Sequence, residues 1–118
     1  MATRSLILKR NDDGVFTGVY CHWDGYPDGV GRRLADNYGD ITKIDALIDL
    51  GDLSMLGPEL KDTVAFCRDR GDDMAPPFVF SSLDEVKGYL DESSMEYAHV
   101  FTDGKWTTYG ADGNVYAY

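Results

Sequence analysis

Residues 15–23 read VFTGVYCHW. Successive side chains of an extended strand point to opposite faces. Val15, Val19, Cys21 and Trp23 therefore fall on one side, and Phe16, Tyr20 and His22 on the other. A half-buried strand would alternate apolar with polar residues. This one carries bulk on both faces, the pattern of a strand in the middle of its sheet. Upstream, Ser5-Leu6-Ile7-Leu8 is a second extended run, and Asn11-Asp12-Asp13-Gly14 between the two is a strong turn signal. The pair reads as an N-terminal β-hairpin.

Beyond residue 27 the spacing of apolar residues becomes helical. Val30, Leu34 and Tyr38 recur four apart behind Asp28, which is expected to cap the helix, and Gly39 ends it. Asp40 is expected to cap a second helix with Ile41, Ile44, Leu47 and Ile48 as its buried face. Residues 53–60, broken by Gly57-Pro58, read as an irregular link, residues 63–67 as a short strand, and residues 68–77 as a polar loop. Phe78-Val79-Phe80 reads as a further strand. Ser82-Leu83-Asp84-Glu85 is a capping box that opens a third helix with Leu83, Val86 and Leu90 inward. The tail reads as a β-meander over residues 96–102, 105–109 and 115–118. The expectation is a single α+β domain over residues 1–118. Its sheet is mostly antiparallel, built from hairpin and meander, with about three helices packed on one face.

Composition supports one core: 118 residues, 43% hydrophobic and 13% aromatic. No apolar run approaches the ~18 residues of a membrane span. MATRSLILKR holds only a three-residue apolar run between charges, unlike a secretory signal. A soluble intracellular protein is expected. Charge is the strongest global signal, with 21 acids against 11 bases and a formal net charge of −10. Such a balance repels nucleic acid and anionic membranes and favours basic partners. Seventeen of the acids are Asp, a bias that turns and helix N-caps partly explain. Cys21 and Cys67 lie in apolar segments, where a thiol behaves as a small hydrophobe; a bridge between them is an open option.

Residues 21–34, CHWDGYPDGVGRRL, gather a His, a Trp, a Tyr, three glycines and two adjacent arginines. Small residues in a first helical turn let a ligand approach the backbone, and stacking faces and guanidiniums complete a pocket for a nucleotide-like anion. His22, Trp23, Tyr26, Arg32 and Arg33 are its candidate residues. The structural alternative is a pair of turns at Asp24-Gly25 and Pro27-Asp28-Gly29, a Trp23 packed in the core, and arginines paired with Asp24, Asp28 or Asp36. Walker and Rossmann spacings are absent. Cys21 and His22 are adjacent and face opposite sides, so they do not form a nucleophile–base pair. Cys21, His22, Cys67 and His99 lack the close paired spacing of a zinc site, and no EF-hand pattern occurs. No catalytic residue, metal or cofactor is expected.

The second candidate site is acidic. Asp45, Asp49 and Asp52 lie at spacings of four and three, opposite the apolar face of the second helix, and Asp36 and Asp40 extend the array. Within residues 34–60 the one base is Lys43. A solvated helix face is the plain reading of such charges. A carboxylate array that imitates nucleic-acid phosphates is the functional one.

Tyr20-Cys21-His22-Trp23-Asp24-Gly25-Tyr26-Pro27, with Gly31 and Leu34 behind it, resembles a family of small phage and prophage proteins that share a Y-x-H-W-D-G-Y-P…G…L signature. The resemblance continues through residues 48–54 and 63–71. It transfers no catalytic residue. It implies a virus-encoded accessory protein in a host bacterial cytoplasm, where small acidic phage proteins inhibit defence systems, anti-CRISPR proteins among them. The function expected is a non-enzymatic inhibitor that binds a host defence protein at a basic surface. It would touch neither nucleic acid nor membrane, and the terminal strand leaves a homodimer open. Sequestration of a nucleotide immune signal by the residues around Trp23 is the alternative.

Overall fold

The computed structural model describes residues 2–118. β1 (Ser5–Arg10) and β2 (Phe16–Cys21) form the expected antiparallel hairpin, with Leu6 opposite Tyr20 and Leu8 opposite Gly18. The turn closes through the Gly14 N–H donating to the Asn11 carbonyl at 2.9 Å. A Cβ at Gly18 would stand 1.8 Å from the Ile7 carbonyl oxygen, so no larger residue fits between the two strands.

The chain continues through a π-helical turn (Pro27–Gly31), α1 (Arg32–Asn37), α2 (Ile41–Asp49), β3 (Leu53–Met55), a 3-10 turn (Leu60–Asp62), β4 (Val64–Ala65) and α3 (Phe66–Arg70). β5 (Phe78–Phe80), α4 (Leu83–Glu92), β6 (Tyr97–Thr102), β7 (Lys105–Gly110) and β8 (Val115–Ala117) complete it. All eight strands join one sheet in the order β4-β3-β2-β1-β6-β7-β8, with β5 also paired to β2. The pairs β1–β6 and β2–β3 are parallel and the rest antiparallel.

Those parallel pairs overturn the expectation of helices on one face. Parallel neighbours need a crossover connection, and a crossover lays its helix on a sheet face. The route from β2 to β3 carries α1 and α2, and the route from β5 to β6 carries α4. Ile7, Val19 and Cys21 pack with Val30, Leu34, Ile44 and Leu47 on one side. Leu6, Leu8 and Phe16 pack with Val86 and Leu90 on the other. The α+β sheet is thus covered on both faces, as a β2 apolar on both faces requires.

Local corrections follow the same logic. Residues 53–55, read as a link, form β3, and Leu53 is fully buried. The strand over 63–67 shrinks to Val64–Ala65, and α3 takes up residues read as strand and loop. Pro27 occupies the first position of the helical segment and Tyr26 its cap, so Asp28 is not the N-cap. Asp40 and Ser82 do cap their helices, accepting from the N–H groups of Thr42 and Glu85. Ile41 lies outward at 47% exposure, since the first residue of α2 projects past the sheet. Among the described residues four α-helices replace the roughly three expected.

The outer edge of β2 is divided between two partners. β5 pairs with Phe16, Thr17 and Gly18, and β3 pairs at Cys21. Between them the Tyr20 N–H has no strand to meet, and the Asp52 carboxylate accepts it at 3.1 Å. Losing that acceptor leaves a partly buried donor unsatisfied, at about 1–3 kcal/mol. Asp52→Ala should lower unfolding free energy by that amount, whereas Asp52→Asn, which keeps an acceptor oxygen, should lose less than about 1 kcal/mol. Denaturant midpoints compare the two; equal losses would show that the acceptor plays no part.

Candidate functional site

The loop that leaves β2 is held by backbone bonds to three elements. His22 and Trp23 donate to the Leu53 and Ser54 carbonyls of β3, each at 3.0 Å, and Gly25 donates to Thr3 at 2.9 Å. Asp24 takes a left-handed conformation with φ 59°, which Asp tolerates, and its carbonyl accepts the Val30 N–H at 2.8 Å. This reversal turns the side chains of Trp23 and Tyr26 outward. They are 44% and 42% exposed, so Trp23 does not pack in the core.

Beneath the loop lies a buried polar chain. The His99 imidazole, fully buried, bonds the Gly25 carbonyl through Nε2 at 2.8 Å and Thr108 Oγ1 through Nδ1 at 2.7 Å. Thr108 Oγ1 meets the Tyr118 hydroxyl at 2.8 Å, and that hydroxyl donates to the Pro27 carbonyl at 3.2 Å. In the neutral ring Nε2 donates to the Gly25 carbonyl and Nδ1 accepts from Thr108, whose oxygen accepts from the Tyr118 hydroxyl; that hydroxyl divides its one proton between Thr108 and the Pro27 carbonyl. Burial holds the His99 pKa down at about 4.

Trp23, Tyr26, Arg32 and Arg33 do come together, lining an open cleft of about 370 Å³ with Asp24, Asp28, Asp36, Met55, Leu56 and Pro58. His22 is outside it, its Nδ1 sharing a hydrogen bond with the Tyr20 hydroxyl. Met55 and Leu56 belong to the segment read as a link, and only its pairing with β2 brings them here. The arginines form no ion pair with Asp24, Asp28 or Asp36 among the described residues. Arg33 donates to the Leu56 carbonyl at 2.9 Å, and the Arg32 guanidinium lies 5.2 Å from the centre of the Tyr118 ring.

The glycines have an internal reason. A Cβ at Gly31 would stand 1.9 Å from the Tyr118 hydroxyl, at Gly29 2.3 Å from the Asp24 carbonyl oxygen, and at Gly25 2.6 Å from Ser5 Cβ. The space that a phosphate cradle needs is filled by the protein itself. The three carboxylates in the lining also outnumber its two guanidiniums.

The five aspartates of the acidic array are divided by task. Asp40 caps α2, Asp45 pairs with Lys9, and Asp52 serves the edge of β2. Asp36 lines the Trp23 cleft, and Asp49 lines a groove beside Lys9, Ile48 and Met74. Asp52 reaches a third depression with Asp72 and Asp73. Lys43 is bound to the Asn37 and Pro58 carbonyls and to Glu59, at 2.7, 3.0 and 3.0 Å.

Both cysteines are free thiols; Cys21 is buried, and burial pushes its thiol up to about 12. No group of three or more His, Cys, Asp or Glu residues is arranged to hold a metal among the described residues. No helix there is long and apolar enough to cross a membrane. Comparison with known proteins finds no matching family model, curated protein or solved structure.

His99 makes stability depend on pH. An unfolded chain takes up a proton at an ordinary pKa of 6.5, whereas the folded ring refuses it until about 4. The stabilisation is therefore complete above pH 6.5 and declines as pH falls toward 4, by about 1.4 kcal/mol per unit. Between pH 6.5 and 5, above the range where most carboxylates titrate, the unfolding free energy should drop by about 2 kcal/mol. His99→Gln should be less stable at pH 7 but lose this slope. A wild-type denaturant midpoint that stays flat over that window would disprove the assignment.

Proposed function

We propose that this chain is a non-enzymatic, phage-encoded accessory protein of the host bacterial cytoplasm. It binds the basic, nucleic-acid-binding surface of a host defence protein and inhibits it, in the manner of DNA-mimicking anti-CRISPR proteins. One observation carries the reading. Of 21 acidic residues, three (Asp45, Glu59 and Asp69) make ion pairs, which leaves eighteen carboxylates without one among the described residues. All but Asp45 and Asp52 are exposed. A molecule at −10 with so little internal neutralisation surrounds itself with a negative potential that attracts basic surfaces over distance. The likeness of residues 20–27 to small phage proteins supplies the setting. The unreactive Cys21 and the neutral, enclosed His99 fit a protein that acts by binding.

The test is capture of partners from bacterial lysate on the tagged protein, followed by competition. The partner should be a nucleic-acid-binding protein that duplex DNA displaces. Its binding should collapse between about 0.1 M and 1 M salt, where the screening length falls from about 10 Å to about 3 Å. Asp36→Asn, Asp49→Asn, Asp72→Asn and Asp73→Asn together, none of which caps a helix or serves the sheet, should weaken capture while leaving thermal stability unchanged. A partner that resists salt, DNA and the fourfold variant would overturn the reading.

A further inference from the structure

We infer that the cleft beside Trp23 and Tyr26 receives a basic side chain, arginine above all, from the partner that the acidic surface attracts. The inference rests on the reading above and names the place where the partner is gripped. Trp23, Tyr26 and Met55 expose large apolar surfaces, the last at 38%, around a single concavity. Tyr, Trp and Met are the residue types that interfaces concentrate, and a rimmed pocket is where their contribution is greatest.

Charge then selects the occupant. Asp24, Asp28 and Asp36 bring three carboxylates to the lining, all exposed and none in an ion pair among the described residues. The two guanidiniums there are held by the protein's own atoms, Arg33 at the Leu56 carbonyl and Arg32 over Tyr118; they keep their charge and are outnumbered by the three carboxylates. A guanidinium satisfies both halves of the cleft at once. Its plane stacks on an aromatic ring, and its N–H edge donates to carboxylates. A lysine ammonium offers the charge without the plane. An anion would meet three carboxylates, and the glycine backbone it would need is covered by the Asp24 carbonyl and by Tyr118. The loop is also fixed in advance by its bonds to β3, Thr3 and His99, so little conformational freedom is lost on binding.

The tryptophans make the test direct. Trp23 is exposed, whereas Trp106 is 5% exposed and bonds the Tyr38 carbonyl, so acrylamide quenching reads Trp23. An oligo-arginine peptide should shield Trp23 from acrylamide and bind more tightly than oligo-lysine of equal length. Trp23→Ala should weaken arginine-peptide binding, read by calorimetry, at least about fivefold. Asp28→Asn with Asp36→Asn should do the same while Trp23 remains to report. Retained Trp106 emission verifies folding of the Trp23→Ala protein. If the peptide binds wild type and both variants alike, with salt-sensitive affinity, the cleft assignment falls and the acidic-surface reading stands. If neither peptide binds at low salt, both fall. Shielding of Trp23 by ATP and not by the peptide would make the cleft a nucleotide site and overturn the inference.

Discussion

A strand pair that is apolar on both faces has to be covered twice, and everything else in this chain answers that requirement. β1 places Leu6 and Leu8 on one side and Ile7 on the other, all without solvent contact. Fully burying one such side chain is worth about 1.5–3 kcal/mol, so leaving either face open would forfeit much of the stability of a small domain. Two crossovers meet the demand, with α1 and α2 on one face and α4 on the other. β2 then has one edge left over, which β3 and β5 share. The seam between those two short strands is where a carboxylate, Asp52, enters the architecture.

The second constraint is polar. A sheet covered on both faces has no water for a loop that dips into it, yet Gly25 is buried against Ser5 and its carbonyl needs a donor. His99 supplies that donor from β6, Thr108 orients the ring from β7, and Tyr118 extends the chain to the Pro27 carbonyl. The final turns of the molecule thus hold the loop after β2. The aromatic pair that this loop presents is positioned by residues about 70 to 90 positions away in sequence, through a network whose members are worth more together than singly.

That dependence explains what the sequence discloses and what it conceals. The hairpin, the meander and the helices with an apolar stripe are legible because each carries its own period, and the caps at Asp40 and Ser82 because their donors are local. Helices on both faces were implied by VFTGVYCHW, whose two apolar sides each require a cover, but antiparallel propensity hides the parallel pairs that produce them. β3 and β4 are too short for a period to register, so Met55 and Leu56 gave no sign of belonging to the cleft. The glycines of CHWDGYPDGVGRRL mark close approach correctly. What approaches is Tyr118 and a carbonyl, and that contact exists only once the tail is folded. Trp23, Tyr26, Arg32 and Arg33 line one cleft, as their proximity in sequence suggests, while His22 lies outside it because strand alternation turns it to Tyr20.

The aspartates divide by the same logic. A carboxylate that caps a helix, pairs with Lys9 or accepts the Tyr20 N–H is held by the fold whatever the protein does, and composition gives it the same weight as the others. Removing those few, the ion-paired Glu59 and Asp69, and Asp13, Glu85 and Asp112, which accept backbone N–H groups, leaves carboxylates with no partner among the described residues. Like charges at a surface oppose compaction. Under the proposed function, an array kept at that disadvantage, next to outward aromatic rings, would be the surface that meets a basic partner. Long-range attraction would bring the two together, and the rings would set the register at contact.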